Sequence, residues 1–296
     1  MNTTLHPRSV VLMAKLHTYW RLTKSPQTAL LLLTGIAGYM SARCPVVTWQ
    51  TLMALVGSLY LAIAGSTVLN MVYDRDIDRR MQRTCQRPLP AGLVSVREAV
   101  ILGFVMVTVG LAVAFALSPL FGLIVSVGAF IDVVVYTIWL KRRTPWAIVW
   151  GGIAGGMPIL AGRALGLGAC DWVGIMLSVS VLLWIPIHIM TFSMRHHEDY
   201  QRAGIPTFPS RYGFRATGIA IALSSVLAAA AMTTALIGMG MAWGYLRVLA
   251  VLGLGLVLLA AACVARPSDR SNFGLFKYAS VFMLSAMALV VVETLR

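Results

Sequence analysis

The stretch 70-NMVYDRDIDRRMQRTCQRPLP-90 carries three aspartates and five arginines, and it directly follows the almost wholly apolar stretch 51-TLMALVGSLYLAIAGSTVL-69. About 20 apolar residues are enough for a helix to cross the hydrocarbon core of a membrane. Only 11% of the chain is charged, so a cluster this dense is unusual. The two stretches together predict a membrane-crossing helix that ends in a polar site.

The composition of the whole chain indicates a membrane protein. Of its 296 residues 59% are apolar, and the mean hydropathy is +0.82, whereas soluble domains have about 45–50% apolar residues. Open sheet edges cannot satisfy their hydrogen bonds in lipid. We therefore predict an all-α integral membrane bundle of nine transmembrane helices, at about residues 26–47, 50–72, 95–116, 119–140, 144–165, 172–193, 216–242, 244–265 and 273–294. Residues 1–25 are expected to form a basic amphipathic segment, and residues 26–296 one transmembrane domain.

The distribution of charge predicts an orientation. With the N-terminus in the cytoplasm, alternation of the nine helices places twenty of the 24 Lys and Arg residues on the cytoplasmic side, as the positive-inside rule requires. This sorting accounts for the net charge of +14 without a nucleic-acid partner. Seven of the ten acids fall on the same side, which the rule does not require, so we expect a functional site at the cytoplasmic face.

The four cysteines, by contrast, predict no site. They are far apart in the sequence and form no CxxC pair. Neither a disulfide framework nor a zinc site is therefore expected.

The first polar cluster has the composition of a metal and phosphate site. Asn70, Asp74 and Asp78 are spaced four residues apart, and side chains at this spacing share one face of a helix. An amide and two carboxylates supply the hard oxygen ligands that bind Mg²⁺ together with the phosphates of a substrate. Arg83 and Arg87 follow, and arginines hold phosphate oxygens by bidentate hydrogen bonds. The alternative is an ordinary helix end whose charges are solvated.

Two further polar patches fall on the same predicted side. The patch 195-RHHEDYQRAGIPTFPSRYG-213 contains Asp199, and it either binds the metal–diphosphate pair from the other side of the bundle or is a capped turn with balanced surface charges. The patch 136-YTIWLKRRTPWAIVWGGIAGGMPILAG-162 contains Lys141 and Arg142, which either neutralise a leaving diphosphate or serve only as a topology signal. The glycines after them permit close helix packing or leave room for a ligand.

The order and spacing of these motifs resemble one family. The stretch 70–90 looks like the first aspartate-rich motif of the UbiA superfamily of intramembrane prenyltransferases, and its MQRTCQRPL portion is similar to the branch that modifies heme. The segments YTIWLKRRTPW, GGIAGGMPILAG, EDYQRAGIP and LFKYAS resemble the same branch. The matches run in order from about residue 15 to residue 290.

The resemblance implies both a fold and a reaction. The fold is UbiA-like, with nine helices around a cavity open to the membrane and the diphosphate bound at the cytoplasmic end. The reaction is the transfer of a farnesyl group from farnesyl diphosphate, with Mg²⁺ as cofactor, to a vinyl carbon of heme B. The enzyme would then lie in the cell membrane, and a heme A synthase or an oxidase assembly protein would be a candidate partner.

The residues that match the family's motifs receive roles by this resemblance. Catalysis is assigned to Asp74, Asp78, Lys141 and Asp199. Metal binding is assigned to Asn70, Asp74, Asp78 and Asp199. Substrate binding is assigned to Asn70, Arg83, Arg87, Arg142, Tyr136 and His188, and also to Asp132, which is selected for its place in the fourth helix rather than by the resemblance. The family's pattern is broken at Arg195, where an aspartate is usual, and around 186-PIHIM-190 and Ala147.

Three ionisable residues of this set lie inside predicted helices, where such groups are rare and usually face the interior of a bundle. Asp132 lies near the middle of the fourth helix, with Tyr136 one turn later on the same face, and both are expected to line the site. An interhelical hydrogen bond to a Ser, Thr or Tyr side chain is the alternative for Asp132. His188 either contacts heme through the iron or a propionate, or is a neutral histidine hydrogen-bonded to a neighbouring helix.

Three rival functions stay open at this point. One is a UbiA-type enzyme with another acceptor, namely a quinone ring, a lipid glycerol or a chlorophyll-like macrocycle. The second is a transporter, which is disfavoured because the sequence has no clear internal repeat and few charges in its outer half. The third is a membrane scaffold that binds heme without catalysis.

Overall fold

The structure is a computed structural model that describes residues 15, 17–23, 25–42, 48–266 and 268–294. Most of the predicted N-terminal segment 1–25 lies outside these residues, as does Cys44, and the side chains of Ser25, Pro26 and Asp269 are not described. The three described cysteines, Cys85, Cys170 and Cys263, are free thiols.

Every regular element in the described part of the chain is helical, as predicted. The long helices are α1 (Ser25–Ser41), α2 (Trp49–Tyr73), α4 (Val96–Leu117), α5 (Pro119–Phe130, continued by a π-helical segment Ile131–Leu140), α6 (Ala147–Leu167), α7 (Trp172–Arg195), α9 (Phe208–Gly238), α10 (Trp243–Ala265) and α11 (Asp269–Thr294). Two short helices, α3 (Arg75–Arg80) and α8 (His197–Arg202), lie between them. Each predicted span therefore corresponds to one long helix.

Eight of these helices are long and apolar enough to cross a membrane, and α1 has 17 described residues. Large apolar side chains are exposed along their outer faces, among them Phe104 and Val251. Such side chains suit a surface that faces lipid rather than water, because a soluble monomer rarely exposes so large an apolar area. The all-α membrane bundle predicted from the sequence is confirmed.

The helix boundaries follow local capping chemistry. Ser118 ends α4 and caps α5 by accepting a hydrogen bond from the Phe121 amide, and Pro119 occupies the first turn, where its missing N–H costs nothing. The α9 helix begins at Phe208 rather than near residue 216, because the Thr207 hydroxyl caps it. It bends at Gly213, whose φ of 81° is accessible mainly to glycine.

The glycines of α6 both permit close helix packing and leave room for a ligand, the two roles that the sequence left open. A Cβ atom on Gly162 would lie 2.0 Å from the carbonyl oxygen of Gly35, so this glycine lets α1 and α6 touch backbone to backbone. A Cβ atom on Gly156 would lie 2.5 Å from the Ser178 hydroxyl of α7. Gly151 and Gly155, in contrast, line an internal cavity. The small residues therefore bring α1, α6 and α7 together and leave space between them.

An ion pair joins three elements at the end of α6 that is remote from the polar cluster. The Arg163 guanidinium donates two hydrogen bonds of 2.7 Å to the Asp171 carboxylate and one of 2.6 Å to the Ser41 carbonyl oxygen. Asp171 also caps α7 by accepting a hydrogen bond from the Gly174 amide. The pKa of Asp171 is lowered, chiefly because Arg163 donates hydrogen bonds to its charged form.

Candidate active site

A cavity of about 300 Å³ lies inside the bundle, between α1, α2, α5 with its π-helical continuation, α6 and α7. Most of its lining is apolar, as in typical ligand pockets. The polar side chains that sequence analysis had selected and that line it are Asn70, Asp74, Asp132, Tyr136, Lys141 and His188. The others, Asp78, Arg83, Arg87, Arg142 and Asp199, lie outside its lining.

The backbone breaks at Asp74. The α2 helix ends at Tyr73, and Asp74, with φ −85° and ψ 1°, turns the chain into the short helix α3. The expectation that Asn70, Asp74 and Asp78 share one continuous helical face is therefore wrong. Asn70 and Asp74 line the cavity and Asp78 does not, although the Asp78 amide still donates to the Asp74 carbonyl oxygen.

The orientation of the Asn70 amide is determined by Asp132. Asn70 Nδ2 donates a 2.8 Å hydrogen bond to Asp132 Oδ2. Because a carboxylate only accepts hydrogen bonds, the amide nitrogen must face Asp132 and the oxygen must point elsewhere. Asn70 Oδ1 is buried and has no donor among the described residues. Asp132 therefore lines the cavity and makes an interhelical hydrogen bond as well, but its partner is an asparagine rather than a Ser, Thr or Tyr.

Asp74 is held by Lys141, which directly follows the π-helical segment. Lys141 Nζ donates to Asp74 Oδ2, and the Lys141 side chain remains 24% exposed. Asp74 Oδ1 is buried and accepts no hydrogen bond from a described residue. Burial opposes the charge on Lys141, but Tyr136 and Asp74 outweigh it, so the pKa of Lys141 is raised and the ammonium stays protonated.

These oxygens suit a hard divalent cation. Asn70 Oδ1 and Asp74 Oδ1 both belong to cavity-lining residues, and both are buried acceptors without a donor, an arrangement that is costly unless a cation or a donor is bound. No three His, Cys, Asp or Glu side chains in the described residues are grouped to hold a metal by themselves. The donor set therefore fits an ion such as Mg²⁺, which takes one or two protein ligands and completes its shell with water and phosphate oxygens.

Asp78 and Arg87 bind each other. The Arg87 guanidinium donates bonds of 3.0 and 2.9 Å to the two carboxylate oxygens of Asp78, which is 4% exposed. The Thr84 hydroxyl donates to the Asp78 carbonyl oxygen. The pair thus stabilises the loop after α3, and the metal role of Asp78 and the diphosphate role of Arg87 stay predictions.

Arg142 also forms an ion pair, with Asp76 on the side of the chain turn at Asp74 that faces away from the cavity. It donates bonds of 2.9 and 2.7 Å to the two oxygens of Asp76, and its guanidinium lies 4.5 Å from the centre of the Tyr73 ring. The pKa of Asp76 is lowered, chiefly by the hydrogen bonds from Arg142. Arg142 therefore connects the end of α2 to the residues after the π-helical segment, and its predicted contact with diphosphate stays a prediction.

The second polar patch meets the first at the same end of the bundle. The Gln82 amide donates a 3.4 Å hydrogen bond to Asp199 Oδ1, and Arg202 lies 3.6 Å from the same oxygen. Ile77 and Met81 pack against Ala203 and Ile205. Two segments more than a hundred residues apart therefore converge, as predicted, although Asp199 contacts the loop after α3 rather than the cavity.

Arg83 belongs to this junction as well. Its guanidinium lies 4.9 Å from the centre of the Phe192 ring and 5.8 Å from that of Tyr200. Its predicted contact with diphosphate stays a prediction.

Sequence reasoning missed two features of the cavity. Ser66, one turn before Asn70, lines the cavity with a buried hydroxyl that has no partner among the described residues. The α7 helix and the residue that caps its end also carry aromatic and imidazole rings at four-residue spacing, of which the first two line the cavity: Trp184, His188, Phe192 and His196. This spacing marks one helical face and was visible in the sequence.

His188 occupies the middle of this row. Its ring lies 5.0 Å from Trp184 and 4.2 Å from Phe276 between ring centres. The Ser280 hydroxyl donates to the Phe276 carbonyl oxygen and lies 3.4 Å from His188 Nδ1. Since that hydroxyl has one proton, this arrangement favours a proton on Nδ1 and a free lone pair on Nε2.

Comparison with known proteins places this geometry in a family. Residues 31–286 match the UbiA prenyltransferase family. The protoheme IX farnesyltransferase of Thermofilum pendens is 38% identical over 265 residues, which cover 88% of this chain and 93% of that protein.

Solved structures agree on the fold. A structure of digeranylgeranylglyceryl phosphate synthase has a TM-score of 0.79 at 20% identity and covers 95% of this chain and 99% of its own. A UbiA homolog from Archaeoglobus fulgidus bound to GPP and Mg²⁺ has a TM-score of 0.69 at 19% identity, and the match covers 92% of this chain and 99% of that chain. This chain is a multi-pass membrane protein that belongs to the UbiA prenyltransferase family.

Proposed function

We propose that this enzyme transfers the farnesyl group of farnesyl diphosphate to a vinyl group of heme B, giving heme O. One observation carries the proposal: a single cavity joins an apolar interior to a polar end where Asn70, Asp74 and Lys141 meet. The identity of the acceptor is supported by the 38% identity to a protoheme IX farnesyltransferase. Residues 26–296 are taken as one catalytic domain.

The polar end supplies what a departing diphosphate requires. Asn70 Oδ1 and Asp74 Oδ1 are the oxygens that would hold Mg²⁺, and the homologous structure with GPP and Mg²⁺ supports this cofactor. When bound, the ion neutralises negative charge on the leaving group. Lys141 keeps its proton and offers its ammonium group to diphosphate oxygens at the same end.

The apolar part of the cavity suits the farnesyl chain and the reacting carbons. The C1–O bond of farnesyl diphosphate breaks, and both electrons leave with the diphosphate. The π electrons of the vinyl group form the new carbon–carbon bond, and a water molecule then adds to the remaining cation and releases a proton. The side chains of Leu59, Val125 and Ile185 line this part and exclude water until the bond has formed.

The proposal includes an orientation. Two contacts at one end of the bundle support it, that of Lys141 with Asp74 and that of Gln82 with Asp199, because arginines and lysines cluster in the same segments. By the positive-inside rule this end is cytoplasmic, with the N-terminus on the same side of the cell membrane. A heme A synthase or an oxidase assembly protein is the expected recipient of the product.

The experiment is incubation of the purified protein with heme B, farnesyl diphosphate and Mg²⁺, with the mass of the product as the readout. Heme O is expected from the wild type and none above background from Asp74→Asn. Asp76→Asn is the matched control, since Asp76 is an exposed carboxylate outside the cavity, and it is expected to retain activity. Absence of a farnesylated heme from the wild type would refute the proposed acceptor.

A second candidate is the same chemistry with another acceptor. The acceptors that the sequence leaves open beside heme are a lipid glycerol, a quinone ring and a chlorophyll-like macrocycle. Parallel reactions with a glycerol phosphate lipid, a quinone precursor and a chlorophyll-like macrocycle separate these acceptors by product mass. A prenylated lipid without farnesylated heme would favour this candidate.

A further inference from the structure

Two cations at the rim of the bundle are not used by the diphosphate site. The Arg195 guanidinium, at the end of α7, lies 4.0 Å from the centre of the Phe273 ring, and Lys277 Nζ of α11 lies 4.6 Å from the same centre. Both side chains are exposed, and neither forms an ion pair with a described side chain. Two like charges beside one ring repel each other, so the binding of a negatively charged group at this rim is favourable.

The electrostatics of a neighbouring residue agree with a positive rim. His196 follows Arg195 directly at the end of α7. Its pKa is lowered, first by burial and then by the charges of Arg83 and Arg195. The imidazole is therefore neutral at pH 7 and adds an apolar ring face beside the cations.

A row of rings connects this rim to the cavity. Phe273 is stacked on Phe276 at 5.9 Å, and Phe276 on His188 at 4.2 Å between ring centres. His188 is followed by Trp184 at 5.0 Å, and both of these residues line the cavity. The Trp184 indole N–H donates a 2.7 Å bond to the Ala279 carbonyl oxygen, which holds α7 and α11 together along the row.

We propose that this row is the binding surface for the acceptor, a planar aromatic macrocycle with two carboxylates, which binds Arg195 and Lys277 through the carboxylates and lies against His188 and Trp184 through its ring. The inference rests on the proposed function, because it takes heme as the acceptor. It adds a binding subsite that is separate from Asn70, Asp74 and Lys141.

The dimensions and the chemistry of the row suit such a ligand. Arg195 lies seven residues after His188, which is about 10 Å along a helix. Two cations match two carboxylates in number, and arginine binds a carboxylate through two parallel hydrogen bonds. Because Phe276 is stacked on both His188 and Phe273, a flat ring system would meet the edges of the row, and edge-to-face contacts between aromatic rings are favourable. The acceptor would therefore be held by its carboxylate edge at the rim, with its opposite edge in the cavity.

The test compares heme B with its dimethyl ester, in which both carboxylates are masked. Binding is followed by heme absorbance on the full-length protein in phosphatidylcholine vesicles without farnesyl diphosphate. The wild type is expected to bind heme B at least tenfold more tightly than the ester. The double variant Arg195→Gln/Lys277→Gln is expected to lose this preference, and Arg211→Gln, an exposed arginine at the same end, is expected to keep it.

Turnover and lipid composition complete the test. In the double variant the KM for heme B should rise about tenfold, while kcat and the KM for farnesyl diphosphate stay unchanged. If the double variant and the wild type preferred heme B over its dimethyl ester to the same degree, the proposed subsite would be refuted, even if heme O were formed. If anionic phosphatidylglycerol in the vesicles abolished the preference for heme B over its ester, the rim would be a lipid headgroup site. Absence of farnesylated heme would refute the proposed function and leave the binding result to be judged separately.

Discussion

Replacing Lys141 with methionine tests the polar end of the cavity. Lys141 is the only lysine or arginine among the described residues that line the cavity. Methionine keeps most of the length of the side chain and removes the charge. The substitution therefore leaves Asp74 without its cation and removes the cationic donor that the described cavity lining offers to the departing diphosphate.

The magnitude follows from this contact. Removing one charge-stabilising donor from an active site lowers kcat by about 10²–10³, or about 2.7–4 kcal/mol of transition-state stabilisation. Because Lys141 is partly buried beside Asp74, we expect a loss in this range. The KM for heme B should change little, since the charge lies at the diphosphate end.

The assay is steady-state formation of heme O by the purified variant, with thermal unfolding in detergent as a check of folding. Arg143→Gln is the matched control, because Arg143 is exposed and is not in the cavity lining. Because the pKa of Lys141 is raised above 10.5, the ordinary pKa of a lysine, its ammonium group should persist above that pH. A folded Lys141→Met enzyme with wild-type kcat, or a wild-type rate that fell as Lys141 lost its proton near pH 8, would refute the reasoning.

Two further predictions concern residues that hold others in place. In Asp132→Asn the Asn70 amide can bind residue 132 through either its nitrogen or its oxygen, so Asn70 Oδ1 is no longer held in place for Mg²⁺. The Mg²⁺ concentration for half-maximal activity should therefore rise about tenfold or more. An unchanged Mg²⁺ requirement would contradict this role of Asp132. Asp171→Asn removes the charged acceptor of Arg163 and should lower the free energy of unfolding by about 1.5–3 kcal/mol, measured by thermal unfolding. Since the folded pKa of Asp171 is lowered, its contribution is present above the ordinary carboxyl pKa and is lost as the pH falls through the folded value. The difference between wild type and variant should therefore shrink in acid, and a constant difference would count against the ion pair.

The helical architecture was predictable because the membrane imposes it. Without water to satisfy the backbone, each apolar stretch of about 20 residues must be a helix, and each of the nine predicted stretches is one. Charge sorting then predicted that the segments around Asp74 and Asp199 meet, which the contact between Gln82 and Asp199 confirms.

The partners of individual charged side chains were not predictable. Helical spacing placed Asp78 beside Asp74, but the backbone torsions of Asp74 turn the chain and deliver Asp78 to Arg87. The bond between Asn70 and Asp132 joins residues 62 positions apart, and no pattern within one helix could reveal it. Tertiary packing determines which of several arginines meets which acid.

Equilibrium binding of an unreactive farnesyl diphosphate analogue, with and without Mg²⁺, tests most directly whether Asn70 and Asp74 form the diphosphate end of the cavity. The account predicts tight binding to the wild type only when Mg²⁺ is present, and a loss of that Mg²⁺ dependence in Asn70→Ala and Asp74→Asn but not in Asp76→Asn. Mg²⁺-dependent binding of equal strength in all four proteins would contradict it.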